Sequence, residues 1–83
     1  MKIPNEKRHF EKLLILLKEM RQQRGIRQVE LAEQLSVPQS FVSKYESGER
    51  QLNILELRRI CHVIGVPFDD FIQQLEEKLD ETE

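Results

Sequence analysis

A chain of 83 residues suffices for one domain, and at that size folding buries only roughly 60% of the surface the unfolded chain exposes, so a partner subunit would add welcome stability. The single cysteine, Cys61, excludes an intramolecular disulfide, no cluster of metal-ligand residue types accompanies it, and the longest aliphatic run, Leu13 to Leu17, falls far short of the roughly 20 residues of a membrane helix. The net charge of −2 is uneven: residues 1–59 hold 12 Lys and Arg against 8 Asp and Glu, whereas residues 60–83 hold Lys78 alone against 7 carboxylates, so the body can meet a polyanion even though the whole chain is acidic.

In chain order, no segment alternates apolar and polar residues as a half-buried strand does, and stripes of period 3.6 recur between short turn-rich breaks. Asn5 or Pro4 can open helix 1, whose stripe Phe10, Leu13, Leu14, Leu17, Met20 runs to Arg24 and stops at Gly25. Either Ile15 or Leu16 is left over from that stripe. Helix 2 covers Gln28 to Leu35, with Val29, Leu31, Ala32 and Leu35 inward. Ser36, Val37 and Pro38 form a tight break, and helix 3 runs from Gln39 to Glu46, ending at Gly48. Helix 4 has the clearest start: Asn53 can cap and Glu56, three residues on, can reach back, with Ile54, Leu57, Ile60, Cys61 and Ile64 buried. Gly65 ends it. Pro67 fits the first turn of helix 5 (66–79), Asp69 and Asp70 favour its positive end, and residues 80–83 should fray as an acidic tail.

Helices 2 and 3 are too short to persist alone. Two such helices joined by a three-residue break, packed against the other three, make a helix-turn-helix unit, whose second helix is presented to the major groove of DNA. The chain is expected to be one all-α domain over 1–83, a compact five-helix bundle.

The run GIRQVELAEQLSVPQSFVSKYESGERQLNILELRRICHVIGV resembles the phage-repressor and Cro-like (XRE) helix-turn-helix domain, with the lambda-repressor-like fold, and the likeness spans residues 10–72. Gln28 opening helix 2, the LAEQL pattern with Ala32 at the helix crossing, Gln39 and Ser40 opening helix 3 and the KYESGER exit carry it. The resemblance implies a DNA-binding transcriptional regulator, a repressor or autoregulatory controller. Gln39 and Ser40, with Ser43 and Lys44 one turn on, are the candidate base contacts, since Gln pairs bidentately with adenine and Ser with several base edges. Gln28, Arg27 and Arg50 are the phosphate candidates. Arg21 and Glu46 match the family's ion pair between helix 1 and the helix 3 exit. Two positions depart from the pattern: Arg27 replaces the usual Thr or Ser cap of helix 2, and Ser36 stands where many members have glycine.

One recognition helix reads only a few base pairs, so a two-fold homodimer is expected, with Phe68, Phe71, Ile72 and Leu75 of helix 5 as its interface. The partners are therefore double-stranded DNA and a second copy. No cofactor, metal, small-molecule ligand or membrane is implied, and a cytoplasmic location is expected. An enzyme is the weakest alternative, because His9 and His62 lack a spaced nucleophile or metal cluster. A protein-interaction module on the same fold, such as an antitoxin-type partner, is the other alternative, and the DNA-facing Gln28, Gln39, Ser40 and Lys44 argue against it.

Overall fold

The computed structural model describes residues 6–81, and among them it contains five helices and no strand: α1 (Glu6–Gln23), α2 (Gln28–Leu35), α3 (Gln39–Ser47), α4 (Ile54–Ile64) and α5 (Phe68–Asp80). The opening expected at Asn5 or Pro4 and the last residues of the acidic tail lie outside the described residues; the helix itself continues through Asp80. Each break has a local cause. Asn53 accepts the Glu56 N–H at 2.8 Å, and Glu56 accepts the Asn53 N–H at 2.9 Å, a reciprocal capping box that starts α4. Gly48, at φ 88°, adopts a left-handed conformation at the end of α3 that would strain any residue with a Cβ.

Ser36 makes the same kind of turn without being glycine. Its φ of 59° and ψ of 44° are left-handed, and they let the Ser36 and Val37 N–H groups close the end of α2 on Glu33 and Ala32. That turn sets the angle between α2 and α3, so the strain sits in the joint of the helix-turn-helix.

The α2–α3 pair rests against α1 and α4, while the backbone of α5 packs close to α1 and α4. The centre is filled by Tyr45, Phe71, Leu17, Leu31, Ile60, Val42 and Cys61, all essentially free of solvent contact. Each large apolar group so buried contributes about 1.5–3 kcal/mol, enough to hold two helices that cannot stand alone.

Several burial expectations need correction. Leu16 is buried and Ile15 is 57% exposed, so Ile15 is the residue left over from α1. Val29, at 37%, and Ile54, at 61%, are exposed, and the first residue of α4 to enter the core is Leu57. Phe71, expected at a dimer surface, is fully enclosed within one protomer. Phe68, Ile72 and Leu75 are partly covered by the same core.

Two outcomes follow. Ser36→Gly relieves the left-handed strain but adds freedom to the unfolded chain, leaving a net gain of about 0.5 kcal/mol and a melting temperature higher by roughly 2–4 °C; an unchanged or lower value would show that the turn is unstrained. Burial pushes the Cys61 thiol from an ordinary 9.0 up to about 11. The folded chain then holds that proton more tightly than the unfolded one, so this stability is complete below pH 9 and is lost between about pH 9 and 11. Tyr45, whose phenol burial raises above its ordinary 10.0, adds to the loss at the upper end. Denaturant melts across that range should show the fall, and Cys61→Ala should shallow its lower part.

Candidate nucleic-acid interface

Arg21 is a buried charge inside an otherwise apolar α1 face. Its Nε donates to Glu46 Oε2 at 2.7 Å, its Nη2 donates to Glu46 Oε1 at 3.0 Å, and its Nη1 donates to the Ile26 carbonyl at 2.6 Å. Both ionic side chains are under 10% exposed. The fork thereby holds α1, the α1–α2 loop and the end of α3 in one geometry, with all three guanidinium nitrogens engaged.

Glu46 has a further partner. Gln28 Nε2 donates to Glu46 Oε1 at 2.9 Å, and Gln28 Oε1 accepts a longer bond of 3.5 Å from Gln39 Nε2. A continuous chain of polar contacts therefore runs from the buried Arg21 to the exposed Gln39 at the first position of α3. The amide nitrogen of Gln28, expected to face a phosphate, is turned inward by the carboxylate. For an anion outside, the start of α2 presents its backbone N–H groups.

Gln39, Ser40 and Lys44 are exposed on α3. Ser43, half-buried beside them, donates its hydroxyl back to the Ser40 carbonyl at 3.3 Å. Gln39 keeps its amide oxygen and one amide hydrogen, the pair of groups that a bidentate contact to adenine requires.

The flanking arginines differ. Arg27 caps α2 without a side-chain acceptor: its backbone N–H donates to Glu30 Oε1 at 2.8 Å, half of a capping box, which holds the Glu30 carboxyl below its usual range. The Arg27 side chain is 75% exposed, with its Nε 3.3 Å from Glu30 Oε1. Arg50 has internal tasks. It forms a fork with Glu56 at 2.9 and 3.2 Å and lies 4.3 Å from the centre of the Phe41 ring, which in turn meets Tyr45 edge-on. These contacts fasten the α3–α4 loop and leave the Arg50 side chain 40% exposed. The sequence carried a signal for this, since the Glu56 that caps α4 lies close enough to accept a second donor. Ile54, expected on the buried face of α4, and Leu55 are exposed beside that loop.

A helix-turn-helix family model matches residues 17–71. The solved structure of an XRE-family like protein from Pseudomonas syringae pv. tomato str. DC3000 is 42% identical, with 87% of this chain and 88% of that one aligned at a TM-score of 0.83. The chain belongs to the XRE family of helix-turn-helix proteins. The family consists of DNA-binding regulators rather than enzymes, and this XRE chain is of that type. No curated protein matches the sequence. No helix among the described residues of the XRE domain is long and apolar enough to cross a membrane, and those residues hold no group of three potential metal ligands.

The ion pair at the base of the site gives a stability test. Glu46→Ala leaves the Arg21 guanidinium buried without its counter-ion and should cost about 3–5 kcal/mol. Joint replacement with Arg21→Met and Glu46→Leu should recover most of that loss, because two apolar groups need no counter-ion. Urea melts of the three proteins decide it: a double variant no more stable than Glu46→Ala would mean that the pair is indispensable to the fold.

Proposed function

We propose that the protein is a sequence-specific transcriptional regulator, a repressor or autoregulatory controller, that occupies a two-fold operator as a homodimer with α3 of each copy in the major groove. The observation that carries this is the Gln39 amide: exposed at the start of α3, held from behind by Gln28, and aimed away from the core. A side chain fixed in this way loses less freedom on contact than a free one, which favours selective reading of a base edge.

Gln39 and Ser40 read base edges, with Ser43 and Lys44 one turn further along. Arg27 and the backbone N–H groups at the start of α2 bind phosphate, and Gln28 holds Gln39 in place. Arg50 supports the interface from the loop. Uncharged groups at the centre confer selectivity and cations at the margin confer affinity, the division expected of groove readers.

Selection of bound sites from random duplexes tests the proposal. A two-fold motif should emerge, bound at about 10⁻⁸ M or tighter at moderate salt. Gln39→Ala should cost about 1–3 kcal/mol on the selected site and relax preference at one position, whereas Arg27→Ala should weaken all sequences alike and lower the salt slope by about 1. Recovery of no motif would defeat the assignment.

A further inference from the structure

An amide side chain carries an acceptor at one end and donors at the other, and half a turn exchanges them. A free glutamine in a groove can therefore offer either end to a base. Gln39 is not free in this way. Glu46, as the counter-ion of Arg21, is a carboxylate and can only accept hydrogen bonds. Gln28 must then point its Nε2 at Glu46 Oε1, 2.9 Å away, which leaves its own Oε1 as the acceptor for Gln39 Nε2 at 3.5 Å. We infer that Glu46 is a positioning residue for base recognition: through Gln28 it decides which end of the Gln39 amide enters the groove, and so makes adenine, not guanine, the purine read at that position. The inference rests on the DNA-binding function proposed above.

The two purines differ in the pattern they present. With one Nε2 hydrogen committed to Gln28, Gln39 shows its Oε1 beside the remaining Nε2 hydrogen, an acceptor next to a donor. Adenine complements that order with its N6 hydrogens and N7. Guanine presents N7 and O6, both acceptors, so one of them meets Gln39 Oε1 with lone pairs opposed. An unheld amide escapes by turning its NH2 group to the base. The held amide must first release Gln28.

The constraint is strongest at its root and loosens outward. The Arg21 and Glu46 side chains are almost free of solvent contact, and Glu46 Oε1 accepts from Arg21 Nη2 at 3.0 Å as well as from Gln28. A reversed Gln28 would set oxygen against carboxylate oxygen where little water screens the repulsion, so its polarity is fixed. The bond to Gln39 is longer and exposed; it biases that amide and leaves it room to adjust to a base. Glu46 thus acts on specificity without approaching the duplex, a second role beside holding α3 on α1.

The test uses the duplex that wild type selects, changed from A·T to G·C at the base pair where Gln39→Ala relaxes preference. Wild type should favour adenine there by about tenfold or more. Gln28→Met keeps the length of the side chain and the ion pair behind it but ends the relay, and should bring the two purines close to parity. Gln28→Lys is the sharper variant. An ammonium only donates, so it satisfies Glu46 and obliges Gln39 to turn its Oε1 inward and its NH2 group to the groove; preference should pass to guanine at that base pair and at no other. Glu46→Gln, assayed where circular dichroism shows it folded, should match Gln28→Met, and the double variant should relax the preference no further. The two Gln28 variants leave Arg21 paired and decide the matter alone should Glu46→Gln unfold. Equal losses on both purines in Gln28→Met would reduce Gln28 to a phosphate ligand and overturn the inference. So would adenine retained by Gln28→Lys, or a wild type that prefers guanine. A wild type that selects no motif would instead refute the DNA-binding function itself, and this inference would fall with it.

Discussion

The bond network around Arg21 is the constraint on which the remaining architecture leans. A guanidinium in the interior is tolerated only if its donors are met, and here a carboxylate from α3 and a carbonyl from the α1–α2 loop meet them. Because those acceptors come from separate segments, satisfying one charge positions three of them. Glu46 then has lone-pair capacity left for Gln28, and Gln28 for Gln39. The orientation of an exposed amide is thus traceable, bond by bond, to a desolvated ion pair at the base of the domain.

This arrangement explains why α2 and α3 can be so short. Helices of eight and nine residues gain little from their own hydrogen bonds, and neither has a side-chain cap of the usual hydroxyl or Asn type. Their stability comes from Leu31, Ala32, Leu35, Val42 and Tyr45, which enter the shared core, and from the fork on Glu46. Flexibility is thereby removed from both helices of the helix-turn-helix.

Much of this was legible in the residues. The breaks at Gly25, Ser36, Gly48 and Gly65 follow from which positions need left-handed backbone, and the cap at Asn53 from its spacing to Glu56. What was not legible is how far each stripe overhangs its neighbour. Periodicity places Ile54 on the same face as Leu57, yet Ile54 is 61% exposed, because periodicity sets which face a residue takes and not whether another element covers it. For Phe71 the error ran the other way: α5 shows more apolar residues than one side of a helix needs, and only the packing of α5 against both α1 and α4 reveals that the largest of them is already enclosed. The bond from Gln28 to Glu46 was not legible, because a glutamine at the start of α2 fits either an outer anion or an inner carboxylate, and sequence spacing does not measure the distance to Glu46.

The placement of α5 has a further meaning when its composition is considered. Asp69, Asp70, Glu76, Glu77 and Asp80 outnumber Lys78 on that helix, while the basic side chains are concentrated in the other part of the chain. The acidic groups are therefore gathered on α5, the helix packed on α1 and α4. A duplex that met α5 first would face a concentration of like charge, so approaches made with that end leading are disfavoured.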